Sequence, residues 1–151
     1  MSTHLFLRSR RELQRGIAAI EFALVLSTLL LVLYGIVSFG AVLYAQQAIS
    51  RAAEDGARAF AGVNDPTETA NIALIKNIVY ASLATSLVTP ANVANTTEQR
   101  KIWLQGNPNV FVTVTSSGLV TVSYPYKEHP IIALPDVVAP SKIFGSAKFS
   151  M

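Results

Sequence analysis

The sequence predicts an α+β chain: a long N-terminal transmembrane helix that continues out of the membrane, a second amphipathic helix, and a small C-terminal antiparallel β-sheet. Three observations carry that expectation. Residues 22–45 read FALVLSTLLLVLYGIVSFGAVLYA without a charge or a proline, residues 46–62 keep a helical pattern with few breakers, and from Asn109 the apolar period drops to two. Composition agrees, since 51% of the 151 residues are hydrophobic and 14% are charged, against about 25% charged in an ordinary soluble domain.

The first element is a basic leader, residues 1–16. Arg8, Arg10, Arg11 and Arg15 precede the apolar run, and Arg51 is the first basic residue after it. The positive-inside rule therefore sets the N-terminus in the cytoplasm and the body outside. The second element is a helix over residues 17–62 whose membrane span is about 22–45. Its 24 uncharged residues cover roughly 36 Å at about 1.5 Å each, enough for a hydrocarbon layer of about 30 Å. A cleaved secretory signal fits less well. Its apolar core runs about 7–15 residues, and the nearest A-x-A pattern here, Ala59-Phe60-Ala61, lies beyond charged residues.

Beyond the span, Arg51 with Asp55 and Glu54 with Arg58 are spaced i,i+4 on the continuing helix. Ala41, Ala45, Ala53, Ala57 and Ala61 form a ridge, with Ala48, Ala52 and Gly56 beside it. This smooth face suits close helix packing, and alanine is also simply a good helix former. The helix is expected to end near Gly62, ahead of Asn64, Asp65 and Pro66.

Residues 63–151 form an α+β region. A second helix is expected from Pro66 to about Ser86, with Asp65 as N-cap, Glu68 completing a capping-box-like start, and Ile72, Ile75, Ile78, Val79 and Leu83 as its apolar stripe. Residues 90–99 read as a polar, turn-rich linker. NVFVTVT and LVTVSYPY, separated by Ser116, Ser117 and Gly118, read as a β-hairpin. Pro130, Pro135 and Pro140 exclude a central strand or helix over residues 127–140, leaving a loop packed on the sheet, and IFGSAKFS supplies a third strand.

Charge and composition also exclude function classes. Residues 46–151 carry eight basic and seven acidic side chains, a nearly neutral body without the basic stripe of a nucleic-acid binder. There is no cysteine, so disulfides and thiolate metal sites are out of reach. His4 lies in the leader and His129 stands alone in a loop, which leaves no zinc site, no cofactor site and no histidine-based triad. Asp65, Glu68, Glu98, Glu128 and Asp136 are spread along the chain with nothing to pair them for hydrolysis. An enzyme is not expected. Trp103, Tyr124 and Tyr126 read equally as a sugar- or peptide-binding surface and as core.

One residue breaks the apolar pattern. Glu21 sits at the lip of the span, where a charge costs up to about 2.5–3.5 kcal/mol at full depth and is by default functional. Basic residues, then Gly16, then Glu21 and Phe22 five and six positions on, then a long apolar helix, resemble the class III signal of type IV pilins and pseudopilins. That resemblance implies cleavage by a prepilin peptidase between Gly16 and Ile17. The new amine at residue 17 would stand one helical turn from residue 21 on the same face. In a bundle of parallel helices Glu21 could then meet the amine of a neighbouring subunit and fix axial register.

The motif GIAAIEFALVLSTLLLVLYGIVSFG, the following YAQQAISRAAEDGARAFAG, and within it Glu54-Asp55-Gly56-Ala57-Arg58-Ala59 are similar to TadE-like proteins, minor pseudopilin-like components of tight-adherence (Flp-type) pilus systems. The resemblance implies a pilin-like fold and no cofactor. Its partners would be the lipid bilayer, the prepilin peptidase, pilin and other Tad pilus assembly components, with no nucleic acid. It places the chain in the bacterial inner membrane and allows for a place in the pilus. The rival reading is an unprocessed single-pass anchor that carries a small periplasmic binding module. A membrane-tethered hydrolase stands only as a contrast.

Overall fold

A computed structural model describes residues 4–65, 68–89, 95–135 and 139–149. Side chains are described from Gly16 onward, so those of His4, Arg8, Arg10, Arg11 and Arg15 lie outside the described residues, as do Pro66, residues 90–94 and Asp136. The elements are α1 (His4–Gly62), α2 (Thr69–Thr85), α3 (Thr97–Gly106), β1 (Phe111–Val114), β2 (Leu119–Tyr124) and β3 (Ile143–Lys148). They fall into two units, Met1–Phe39 and Gly40–Met151.

The first unit is the N-terminal part of α1. Its large apolar side chains, from Ile17 and Ile20 through Leu31 to Phe39, are exposed. α1 is long and apolar enough to cross a membrane, with a mean hydropathy of 2.4 in its most apolar window. Ser27 and Thr28 inside the run donate their hydroxyls to the carbonyls of Ala23 and Leu24 at 2.7 and 2.9 Å, so neither leaves an unsatisfied polar group facing lipid.

The second unit is built on the C-terminal part of α1, which ends at Gly62 as expected. Ala45, Ile49, Ala52 and Ala53 on α1, Ile75, Val79 and Leu83 on α2, and Leu104 on α3 are buried with Val112, Val120, Val122 and Ile143 of the sheet. The three strands lie in the order β1-β2-β3 and both pairings are antiparallel. Val112 faces Val122 in β1–β2, and Val122 faces Gly145 in β2–β3. Period-two alternation puts these residues on the inner face and Phe111, Thr113, Phe144 and Ser146 on the outer face. Gly118, at φ +77°, makes the tight turn between β1 and β2. The loop after β2 packs Ile131 and Leu134 on the core.

Two sequence expectations need correction. α2 starts at Thr69 rather than Pro66, because Glu68 is extended (φ −64°, ψ 135°) and is itself the N-cap, without a side-chain cap bond. Asp65 serves through its carbonyl instead, which accepts from the Asn71 side chain at 2.7 Å. Of the linker expected over residues 90–99, residues 97–99 belong instead to α3, while 90–94 lie outside the described residues. Thr96 accepts from the Gln99 backbone N–H, and the Gln99 side chain accepts from the Thr96 backbone N–H. That reciprocal capping box starts a helix within a stretch that composition alone marks as loop.

Candidate processing site and membrane anchor

In the first unit Gly16, Ile17, Glu21 and Phe22 are all helical and exposed. Residues 17 and 21, four apart on α1, share a face one turn apart. A Cβ added at Gly16 would meet nothing within 4 Å, so the glycine answers no packing demand of the helix.

The small-residue face lies in the second unit. Ala41, Ala45, Ala52 and Gly56 are buried there and Ala48 is half-buried. A Cβ on Gly56 would stand 2.6 Å from Cγ2 of Val79 on α2 and 3.0 Å from Cγ1 of Val120 on β2. A Cβ on Gly145 would stand 2.8 Å from backbone atoms of Ile49 and Ser50. Small residues on α1 and β3 thus let α2 and the sheet approach α1 closely. Gln46 donates its side-chain N–H to the Phe144 carbonyl at 2.7 Å, satisfying an acceptor on β3, an edge strand of the sheet.

The charged pairs expected at i,i+4 on α1 do not close among the described residues. Asp55 instead meets Arg58 at 4.0 Å, three positions on, and accepts the Ser82 hydroxyl from α2 at 2.6 Å. Tertiary contact with α2 outcompetes a surface ion pair worth at most about 1 kcal/mol. Asp55 and Ser82 line an open groove of about 780 Å³ between α1 and α2, together with Arg51 and Arg58.

The aromatic candidates separate. Tyr124 and Tyr126 are fully buried. The Tyr124 hydroxyl donates to the Val88 carbonyl at 2.8 Å, with the His129 carbonyl at 3.3 Å. Burial pushes its pKa well above the ordinary tyrosine value, with repulsion from Tyr126 adding to the rise. Burial also raises Tyr126, opposed by the backbone N–H groups of Ile132 and Ile131. Trp103 is half-buried against the edge of the core and takes His129 edge-on, ring centroids 4.9 Å apart. His129 is a half-buried loop residue, its Nε2 3.3 Å from the Asn107 amide. The chain around it is fixed by the Tyr124 bond, which sequence spacing does not reveal. No group of three or more metal-ligating side chains gathers among the described residues.

An exposed apolar helix joined in sequence to a folded α+β unit defines a single-pass, membrane-anchored protein. Residues 16–58 match the family model described as TadE-like protein. No curated protein and no solved structure matches the chain.

Proposed function

We propose that this protein is a minor pseudopilin-like component of a tight-adherence pilus system, held in the bacterial inner membrane by α1 and acting in pilus biogenesis and surface adherence. The match over residues 16–58 carries the reading, because it opens at Gly16 and takes in Glu21. In this reading a prepilin peptidase cuts after Gly16 on the cytoplasmic side, held there by Arg8, Arg10, Arg11 and Arg15. The α+β unit then lies outside, where pilin and other assembly components meet it.

Cleavage turns Ile17 into an ammonium one turn from Glu21. In open water a pair at about 4 Å is worth only about 1 kcal/mol, but at the effective dielectric of about 20 near protein it reaches about 4 kcal/mol before desolvation. The pair is therefore strongest once helices bundle and exclude water, which suits a register contact between subunits. Ala41, Ala45, Ala48, Ala52 and Gly56 act inside the chain, letting α2 and the sheet sit close to α1.

The test is the intact mass of the protein purified from native membranes, beside a Gly16→Val variant. Since Gly16 has no packing neighbour, the variant is expected to keep its fold and the whole leader, while the native chain begins at Ile17. A native chain that keeps residues 1–16 overturns processing and promotes the unprocessed anchor with a periplasmic module.

A further inference from the structure

Leu87 and Phe144 are large apolar side chains of the folded unit left 64% and 57% exposed. Each is tied to the first turns of α1 within that unit. The Leu87 backbone N–H donates to the Tyr44 hydroxyl at 3.1 Å, and the Phe144 carbonyl accepts from Gln46 at 2.7 Å. Residues 44 and 46 differ by about 3 Å along the helix axis and by about 200° around it. The backbone at Leu87 and at Phe144 is thus held beside α1 at about the same level and on opposite sides of it. Leu43 and Tyr44, on α1 itself, are also exposed. Phe144 also lies in one register row with Ser123 and Phe111, and Lys142 holds its ammonium 5.8 Å from the Phe111 ring.

We propose that this collar is a second membrane contact, in which Leu87 and Phe144 enter the lipid interface around the point where α1 joins the folded unit. The argument rests on the membrane anchor and not on the pilus reading. Tyr44 and Gln46 flank the end of the uncharged, apolar run 22–45, so chain connectivity alone keeps this level close to the headgroups. A protein docking from one side covers Leu87 or Phe144, whereas a bilayer meets the helix on every side. Lys142 adds a cation beside the apolar row, which complements anionic headgroups. Tyr44 places a ring with a polar tip at the depth where such residues concentrate. The effect is to fix the folded unit against the membrane surface at several points instead of one.

The chain contains no cysteine, so the single variants Leu87→Cys, Phe144→Cys, Leu74→Cys and Leu31→Cys each carry one environment-sensitive fluorophore after reconstitution into phosphatidylethanolamine–phosphatidylglycerol vesicles. Leu74 is the control, 49% exposed but about 16 Å from the C-terminal end of α2 at the helical rise. Groups in the interface lie roughly 5–10 Å into the headgroup boundary, so shallow doxyl lipids should quench labels at 87 and 144 at least about twofold more than the label at 74. Quenching at 87 and 144 no stronger than at 74, with the label at 31 quenched, overturns the collar while leaving the anchor intact. Quenching at only one of the two also overturns it, in favour of a one-sided contact. Loss of quenching at 31 removes the anchor, and the collar with it.

Discussion

Gly145 sets how near β3 comes to α1. The atoms a Cβ would strike, 2.8 Å away in Ile49 and Ser50, are backbone and cannot swing aside. Gly145→Ala is therefore expected to cost about 2 kcal/mol by overpacking, a drop of roughly 4–8 °C in Tm per kcal/mol for a unit of this size. At Gly56 the obstacle is a methyl of Val79 at 2.6 Å, stiff but mobile, and alanine returns up to about 1 kcal/mol of helix propensity. Gly56→Ala should lose less. Thermal unfolding in detergent decides, and a Gly145→Ala protein as stable as its parent would sink the account.

Tyr124 adds a pH dependence whose sign follows from its raised pKa. Unfolded tyrosine ionises near pH 10, while burial keeps Tyr124 protonated well past that point. Its contribution is fully present below about pH 10 and is lost as pH rises from there toward the folded value, because the unfolded chain then holds fewer protons. Tyr124→Phe is expected to cost about 1 kcal/mol at neutral pH through the lost bond to Val88 and to flatten the alkaline decline. Urea midpoints of both proteins between about pH 8 and 11 test this; equal slopes would contradict it.

At the scale of elements, α3 shows how a few polar atoms decide between loop and helix. Its capping box satisfies backbone donors at both the N-cap and the third helical position. Thr96→Ala is expected to cost about 1 kcal/mol and to fray the first turn of α3 without touching the sheet. Amide exchange of residues 97–101 checks it, and unchanged protection there would count against the cap. α1 illustrates a different division. One helix serves two solvents, with large apolar side chains facing lipid in its first part and small ones facing protein in its second.

For the whole molecule, the buried hydrophobic core among the described residues runs from Ala41 to Ile143 and lies within Gly40–Met151. A chain beginning at Gly40 is accordingly expected to fold, with a single cooperative thermal transition by circular dichroism. A broad, non-cooperative melt would mean that the lipid-facing helix contributes to the stability of the folded unit. On the proposed function the same division would separate roles, with processing and anchoring in the first unit and recognition of partners in the second.

The sequence by itself determined the apolar span, the end of α1 at Gly62, the apolar stripe of α2, the hairpin and the third strand. In each case the signal is local: a period, a turn glycine, or an uninterrupted apolar run that only a bilayer or a core can satisfy. It also singled out Gly16 and Glu21, because a glycine and a charge stand out against an apolar helix. The start of α3 was legible as well, in Thr96 and Gln99 at capping-box spacing, but polar composition masked it. Tertiary structure alone decided the rest. Asp55 turns to Ser82, twenty-seven residues away, and the alanine face receives a sheet whose approach depends on Gly145. Tyr124 enters the core while Trp103 packs half-buried against its edge beside His129. Leu87 and Phe144 share a level around α1 although 57 residues separate them in the chain. Such pairings depend on where distant segments meet, and no periodicity along the chain encodes that distance.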